Sequence, residues 1–174
     1  MSPNAYQVLR EGSHVRLTRR PSTPGGAPAL TVTLTAEQPT RESVERLQHE
    51  YALREFIDRE WAARPSALSA ADGRLSLVLE DPGGEVLSPA RPWALIPFLR
   101  VAIGIAKALG ALHGRGLIHK DIKPANILVD ASSGNAWLTG FGLASRLPRE
   151  RGTIAPPEVI AGTLAYMAPS RRGA

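Results

Sequence analysis

The segment from Ile118 to Asp130, IHKDIKPANILVD, limits what this chain can fold into and what chemistry it can support. It places a carboxylate at Asp121, an ammonium at Lys123 and a carboxamide at Asn126 in a short loop before a strand-like apolar run. Phosphoryl transfer uses such groups, because a carboxylate orients the attacking hydroxyl, a cation contacts the transferred phosphate and an oxygen ligand holds magnesium. The alternative is a surface loop with three polar residues by chance, and the helical pattern before the segment and the strand pattern after it argue against this.

The composition bounds the size and class of the protein. With 174 residues, 43% of them hydrophobic, the chain can build one domain with a core or two small lobes. It has no cysteine, which excludes disulfides and thiolate metal sites and permits a reducing cytoplasm. Its four histidines are scattered along the sequence, so no histidine metal site is expected.

Charge and hydropathy favour a soluble chain. The net charge of +5 comes mostly from arginines spread along the sequence, whereas a nucleic-acid binder more often shows a basic stripe interleaved with aromatic residues. Arg100 and Lys107 interrupt the long apolar run, so we expect no segment of membrane-spanning length, and the N-terminus lacks a signal-peptide core. We therefore expect a cytoplasmic protein that binds no nucleic acid and does not insert into a membrane.

The first third of the chain has the pattern of a small sheet with one helix. Tyr6 to Arg10 and His14 to Thr18 alternate apolar and polar residues around a glycine turn, which predicts two strands. Ala29 to Leu34 is rich in β-branched residues and predicts a third strand. Thr40 is a suitable N-cap for an amphipathic helix that the apolar spacing extends to about Ile57.

The rest of the sequence predicts a strand, a long helix and a hairpin. Arg64 to Ala71 shows no clear pattern and is expected to be irregular, while the leucines of Leu75 to Leu79 mark one face of a strand. The nearly continuous aliphatic run from Trp93 to His113 is too long for a strand and predicts a buried helix. Ile127 to Val129 and Ala136 to Thr139 are expected to pair as a hairpin.

The Ile118 to Asp130 segment resembles the catalytic loop of the eukaryotic-type Ser/Thr protein kinases, whose signature is H-R-D-x-x-x-x-N. The resemblance implies these roles: a catalytic base at Asp121, a γ-phosphate contact at Lys123, a magnesium ligand at Asn126 and a structural support at His119. It also implies an α+β fold with two lobes, ATP as the phosphate donor and magnesium as the metal cofactor.

The resemblance extends from Tyr6 to Pro169 and is nearest to the kinase-like domains at the N-termini of large bacterial hybrid sensor proteins. The stretches that carry it are HEY at 49–51, LVLEDPGGE at 77–85, LTGFGLASRLPRE at 138–150 and PPEVIAGTLAYMAP at 156–169. It implies a small lobe at residues 1–81, with an antiparallel sheet and one helix. A partial large lobe, with the catalytic loop and the activation segment, would follow at 82–169, and an aberrant tail at 170–174.

Residues that would bind phosphate and magnesium depart from the family pattern. Thr31 stands where we align the strand lysine that contacts the phosphates, so its helix partner, Glu50, is expected to be solvated and unpaired. Gly140 replaces the aspartate of D-F-G, which leaves Asn126 to hold magnesium almost alone.

The part of the ATP site that would bind adenine is altered as well. Pro82 stands where a backbone N–H would bind adenine, and proline has no N–H to donate. Glu80 is the neighbouring residue that the resemblance assigns to this degraded site. The glycine-rich loop is reduced to the residues 12–14, which are too few to cover phosphates.

These departures predict a catalytically defective kinase-like fragment, a pseudokinase, of a signalling protein, with weak or absent binding of ATP and magnesium. An active Ser/Thr protein kinase is one alternative. A protein-interaction module that partners a sensor histidine kinase is another. Nucleotide binding with and without magnesium separates the first two, and co-purification of a partner supports the third.

Two expectations concern the end of the chain. A one-base deletion in a kinase gene can encode Ser170 to Ala174, so we expect an out-of-frame tail, with an evolved short C-terminus or a cloning boundary as the alternative. We also expect part of the surface from Leu95 to Leu112 to be exposed, because kinases cover this helix with later parts of the large lobe.

Overall fold

The structure is a computed structural model that describes residues 6–20, 27–71, 74–89, 92–147 and 162–167. Its first part is an antiparallel sheet of five strands in the order β1-β2-β3-β5-β4. The strands are β1 (Gln7–Glu11), β2 (Val15–Arg20), β3 (Ala29–Leu34), β4 (Pro65–Ala71) and β5 (Arg74–Glu80). The predicted first three strands and the strand at residues 75–79 are confirmed, while the expected tail at 170–174 lies outside the described residues.

One face of this sheet is closed by aliphatic side chains. Val32 on β3 pairs with Leu17 on β2 and with Leu77 on β5, and paired residues in an antiparallel sheet project to the same face. All three are buried in one cluster with Leu47 of the helix that covers this face. Thr31 is one residue away on β3 and therefore projects to the opposite face.

The covering helix, α1 (Arg41–Ala52), begins where the sequence predicts. Thr40 Oγ1 accepts a hydrogen bond from the Ser43 backbone N–H at 3.2 Å, which satisfies one of the free N–H groups of the first turn. The helix ends at Ala52, before the predicted end at Ile57. The apolar spacing misleads here because turns follow the helix and still bury Ile57.

The expectation of an irregular stretch at Arg64 to Ala71 is wrong, because Pro65–Ala71 forms β4. This strand lies at the edge of the sheet and pairs only with β5 among the described strands. Its small serine and alanine residues do not alternate between apolar and polar, so the side-chain pattern does not predict a strand. The strand is recognised only by its pairing with β5. Pro65 is compatible with the first position of an edge strand, where the ladder has a bulge.

The second part of the chain holds a long helix, α2 (Leu95–Gly114), and two small sheets. β7 (Leu117–Ile118) pairs with β10 (Ser145–Arg146), while β6 (Glu85–Val86), β8 (Ile127–Val129) and β9 (Ala136–Leu138) form a three-stranded sheet. The predicted hairpin at 127–139 is therefore confirmed. The expected α+β architecture, a sheet with one helix followed by a partial second lobe, is also confirmed.

Helix α2 is buried on one side only. Val101, Ala108 and Leu112 are nearly inaccessible to solvent. Five large apolar side chains are instead 44–68% exposed, namely Leu95, Ile96, Phe98, Leu99 and Ile103. The prediction of a helix is confirmed. The predicted burial is found on one face of α2, and the expected exposed surface is present on the other.

The length and composition of α2 correct one expectation. Among the described residues, α2 is the one helix long and apolar enough to cross a membrane, with a mean hydropathy of 1.8. Arg100 and Lys107 do not bring the helix below this criterion, so the expectation that no segment reaches membrane-spanning length is wrong. Core helices of soluble domains can meet the same criterion, and α2 packs against β7 and β9.

Candidate active-site cleft

The loop between β7 and β8 carries the predicted catalytic residues, and His119 anchors its first part. The His119 ring is buried, its Nε2 lies 3.0 Å from Thr139 O, and its Nδ1 accepts a hydrogen bond from the Asp121 N–H at 3.3 Å. Burial lowers the pKa of His119, which favours the neutral ring that can make both bonds. These contacts agree with the structural role that the resemblance implies.

Asp121 is held by three side chains. Its Oδ1 accepts from Thr163 Oγ1 at 2.7 Å, and its Oδ2 lies 2.8 Å from Lys123 Nζ and 2.9 Å from Asn126 Nδ2. Burial alone would raise the pKa of Asp121, but the hydrogen bonds from Lys123, Thr163 and Asn126 together hold the pKa below its usual value. The structure thus brings the three predicted catalytic residues together around an ionised carboxylate.

The backbone next to Asp121 adopts an unusual conformation. Lys120 has a φ of 67°, in the left-handed region that few residues with side chains adopt. A Cβ placed on Gly162 would lie 2.7 Å from Lys120 O, so the segment 162–167 passes very close to this turn. That approach brings Thr163 within reach of Asp121 and of Lys123 Nζ, which lies 2.8 Å from Thr163 Oγ1.

Asn126, the predicted magnesium ligand, is buried and already hydrogen bonded on both sides of its amide. Its Nδ2 donates to Asp121 O at 2.8 Å as well as to the Asp121 carboxylate. Its Oδ1 accepts from Arg10 Nη1 at 2.6 Å, and the same Nη1 donates to Ala125 O. A guanidinium from β1 therefore occupies the oxygen that was expected to bind the metal.

A bulge in β1 brings Arg10 to this position. The pairing of β1 with β2 shifts by one residue between Val8 and Arg10, and a bulge of this kind changes the direction of the side chains beside it. Burial lowers the pKa of Arg10, and the nearby carboxylates of Glu50 and Asp121 oppose this effect. A guanidinium keeps its proton throughout the physiological range, so Arg10 remains a cation.

The expectation that Glu50 is solvated is wrong. Glu50 is only 3% exposed, because α1 packs against the 3₁₀ turn Phe141–Leu143. Its carboxylate accepts backbone N–H groups of Phe141 and Gly140, and burial nevertheless raises the pKa of Glu50 to about 7. Glu50 Oε1 has no hydrogen-bond partner among the described residues, which adds to the cost of its charge.

Glu50→Gln is expected to stabilise the protein in alkaline solution. Because the folded-state pKa is above the unfolded value of 4.5, the protonated carboxyl contributes stability below that value, and this contribution is lost as the pH rises through about 7. The variant should therefore exceed the parent by about 2 to 4 kcal/mol near pH 8, and the difference should vanish near pH 4.5. Denaturant unfolding over this pH range measures it.

Glu45→Gln is the matched control for this prediction. Glu45 lies on the same helix and pairs with Arg41 at the surface, where ion pairs contribute little. Its substitution should change the free energy of unfolding by less than about 1 kcal/mol at any pH. A pH-independent difference between Glu50→Gln and the parent would contradict the buried, partly protonated state of Glu50.

Thr31 is not part of the cleft. It lies on the sheet face opposite to α1, while Val32 lies on the face that α1 covers, in one buried cluster with Leu47 and Leu128. Thr31, which stands where the family's lysine is expected, therefore does not lie on the face that α1 covers, whereas the neighbouring Val32 does. Neither Thr31 nor Val32 carries a positive charge.

Gly140 adjoins Asn126 directly. It has a φ of 78° and a ψ of 53°, and a Cβ placed on it would lie 2.9 Å from Asn126 Oδ1. Glycine adopts this left-handed conformation without strain. The structure thus places Gly140 beside the predicted metal ligand, at a point where it supplies no side-chain oxygen.

Glu80 and Pro82 lie in the connection between the lobes, apart from the Asp121 cluster. Glu80 Oε1 is 3.4 Å from Arg64 Nη1, and its side chain is partly exposed. Next to Pro82, Arg19 donates to both oxygens of Asp81, at 2.6 and 2.9 Å, and to Gly84 O at 2.8 Å. A cavity of about 650 Å³ lies beside this connection, and none of the predicted site residues lines it.

The residues present do not fit a magnesium site. Magnesium requires several hard oxygen ligands in nearly octahedral geometry. Asn126 Oδ1 is engaged by Arg10, Gly140 offers no carboxylate, and the described residues contain no group of three or more His, Cys, Asp or Glu side chains that could hold a metal ion.

Sequence reasoning missed three residues of this cleft. The contribution of Arg10 depends on a bulge that leaves no clear sequence signal. Val32, the neighbour of Thr31 on β3, is buried on the face of the sheet that α1 covers. Thr163 lies in the stretch at 156–169 that carries the family resemblance, and its hydroxyl contacts the catalytic loop.

Comparisons with known proteins agree with this architecture. The protein kinase domain family model matches residues 85–171. The serine/threonine-protein kinase mos of Patiria pectinifera is 33% identical over 116 residues, 66% of this chain and 28% of that protein. The serine/threonine-protein kinase AfsK of Streptomyces griseus is 37% identical over 87 residues, 50% of this chain and 10% of that protein.

A third relative is the serine/threonine-protein kinase PknL of Mycobacterium tuberculosis, 37% identical over 83 residues, which are 48% of this chain and 19% of that protein. The chain thus spans less than a third of the length of the curated relatives that it matches. The family match covers half of the chain and includes the catalytic loop and the Asp121 cluster. On this match and on its fold, the chain belongs to the protein kinase domain family.

Proposed function

We propose that this chain is a kinase-fold domain that does not carry out magnesium-dependent phosphoryl transfer and that serves in a cytoplasmic signalling protein. Kinases of this family use ATP and magnesium in general. We infer that this chain binds both weakly or not at all. The cysteine-free sequence is compatible with the reducing cytoplasm.

The burial of aliphatic side chains from both lobes in one cluster is the observation that carries the proposal. In kinases the nucleotide lies between the sheet and the metal-binding residues of the catalytic loop. Here Leu128 of β8 belongs to the same buried cluster as Leu17 and Leu30 of the sheet, and none of the three is more than 1% exposed. Aliphatic side chains of the sheet and of β8 are therefore buried together where the two lobes meet, which supports weak binding of an adenine ring there.

The polar and charged groups that bind the nucleotide in kinases are missing as well. Val32 faces the cleft without a cation, Gly140 has no carboxylate for a metal, and Pro82 has no N–H for the adenine. Each lost charged contact costs about 1.5 to 3 kcal/mol of binding free energy. Two such losses are enough to move a micromolar site toward millimolar affinity.

ATP with magnesium is therefore expected to bind with a dissociation constant in the millimolar range. Isothermal titration with ATP, in magnesium and in EDTA, measures the affinity, and incorporation of labelled phosphate measures transfer. Asp121→Asn is the control, and it should match the parent, which is expected to show no incorporation. Phosphate incorporation that disappears in Asp121→Asn would refute the proposal.

An active Ser/Thr protein kinase is the second candidate, and the Asp121 cluster favours it. The Asp121 carboxylate is ionised, and it accepts hydrogen bonds from Lys123, Thr163 and Asn126. A catalytic base in phosphoryl transfer also has to be ionised and held in a fixed position. The incorporation experiment above decides between the two candidates. A positive result there would assign the cluster to catalysis.

A third candidate is an interaction module that partners a sensor histidine kinase. The stretches at 138–150 and 156–169 resemble the kinase-like domains of hybrid sensor proteins, and the apolar side chains exposed on α2 favour association. Co-purification of the chain with a histidine kinase tests this candidate. The purified chain without a partner should bind a dye that reports exposed apolar surface.

A further inference from the structure

We propose that the guanidinium of Arg10 takes the place of the metal ion in this cleft, where it positions the catalytic loop and excludes divalent metal from Asn126. The inference deepens the proposed function and rests on it. It assigns a role to a residue on β1 that the catalytic-loop motif does not include.

The contacts of Arg10 join the two lobes. Its Nη1 donates to Asn126 Oδ1 at 2.6 Å and to Ala125 O, so a side chain of the sheet is bonded to the end of the catalytic loop. Both acceptors belong to the 3₁₀ turn Pro124–Asn126. Hydrogen bonds from a charged donor are stronger than neutral ones, and here one nitrogen holds two oxygens of this turn.

The contact with Arg10 also orients Asn126 toward Asp121. Because Oδ1 faces the guanidinium, Nδ2 faces Asp121, where it donates to the backbone oxygen at 2.8 Å and to Oδ2 at 2.9 Å. A magnesium ion on Oδ1 would orient the amide in the same way. Arg10 is thus a positioning residue that acts on Asp121 through Asn126.

The cleft already holds two cations, Lys123 and Arg10, without a metal. Asp121 is paired with Lys123 at 2.8 Å, and Glu50 attracts Arg10 across the cleft. Arg10 Nε and Glu50 Oε1 are both buried without a hydrogen-bond partner among the described residues. Two cations therefore face the Asp121 carboxylate and the partly protonated Glu50, and a divalent ion would add positive charge that this arrangement does not require.

The position of Arg10 opposes metal binding directly. A magnesium or manganese ion on Asn126 Oδ1 would lie about 2.1 Å from that oxygen, and Arg10 Nη1 lies 2.6 Å from it. The two positive centres would be less than about 5 Å apart in a partly buried site, where like charges repel strongly. A metal can enter only if Arg10 leaves.

Manganese binding in the absence of nucleotide tests this inference. Gly140→Asp supplies the missing carboxylate beside Asn126, and Arg10→Met removes the guanidinium but keeps an apolar stem. We expect Gly140→Asp alone to bind Mn²⁺ poorly, because its new carboxylate would pair with Arg10. The double variant Arg10→Met with Gly140→Asp should bind Mn²⁺ at least about tenfold more tightly, measured by electron paramagnetic resonance and by thermal shift against EDTA.

Two further variants serve as controls. Arg16→Met with Gly140→Asp removes an exposed arginine of the same hairpin that pairs with Glu11 at the surface, and it should behave like Gly140→Asp alone. Arg10→Lys with Gly140→Asp keeps the positive charge and should also bind Mn²⁺ poorly. Equal affinity of Gly140→Asp and the Arg10→Met double variant would overturn the inference.

A measurement on the parent protein covers the case in which the Arg10→Met variants do not fold. Nuclear magnetic resonance should show a guanidinium of Arg10 whose rotation is slow, because Nη1 is held by two acceptors. Fast rotation of this group would overturn the inference. The manganese comparison contains no nucleotide, so phosphate transfer by the parent would refute the proposed function and leave this comparison intact.

Discussion

Phe141→Ala is expected to lower the free energy of unfolding by about 3 to 5 kcal/mol, the cost of removing a fully buried aromatic side chain. Phe141 has no solvent exposure. Its ring meets Trp61 edge-on at 6.2 Å between centroids and lies 4.8 Å from the His119 ring. It therefore joins α1, the catalytic loop and the core of the second lobe at one point.

The melting temperature should fall by roughly 6 to 20 °C for a chain of this size. Phe98→Ala is the matched control, because Phe98 is 53% exposed on α2 and the same chemical change there should cost less than about 1 kcal/mol. Thermal and denaturant unfolding of the two variants measure the difference. Equal losses would contradict the placement of Phe141 at the centre of the core.

A triple variant that restores the missing phosphate and metal contacts is expected to bind ATP much more tightly than the parent. Val32→Lys restores a cation on the cleft face of β3, Gly140→Asp restores a metal carboxylate, and Arg10→Met frees Asn126. Because each restored charged contact contributes about 1.5 to 3 kcal/mol, the triple variant should bind ATP with magnesium about 100-fold or more tightly than the parent. Affinity should stay short of an efficient kinase, since Leu30 and Pro82 still obstruct the adenine.

Thr31→Lys in place of Val32→Lys is the control for this variant. It adds the same charge one residue away, on the face of the sheet that points away from α1. Titration calorimetry with and without magnesium should detect the gain only in the Val32→Lys protein. A gain of the same size with Thr31→Lys would show that the assignment of faces on β3 is wrong.

The sequence predicts the elements of this fold well wherever one segment carries a complete signal. The N-cap at Thr40, the hairpin at 127–139 and the long α2 helix are all read from local patterns. The strand at Pro65–Ala71 could not be read in this way, because it is defined by its pairing with β5. The apolar composition of α2 predicts a helix but not which face is covered, and the expected exposed surface comes from the family resemblance.

The residues of the candidate site were also predictable from the sequence only where one short segment contains them. Asp121, Lys123 and Asn126 lie in one short segment, and a single motif finds them together. Glu50 was misjudged because its burial depends on how α1 packs against residues far along the chain. Arg10 could not be found, since it reaches Asn126 from a strand 116 positions away in sequence, through a bulge that alternation does not reveal.

The hydrogen bonds of Arg19 at the connection between the lobes affect how the lobes can move. Active kinases open and close their lobes around the substrate on microsecond to millisecond timescales. Here a hinge movement at Asp81 to Gly84 would have to break the three hydrogen bonds that Arg19 makes to Asp81 and Gly84 O. We therefore expect the two lobes to move as one body, so that the protein presents a single constant shape to other molecules where an active kinase would cycle between two.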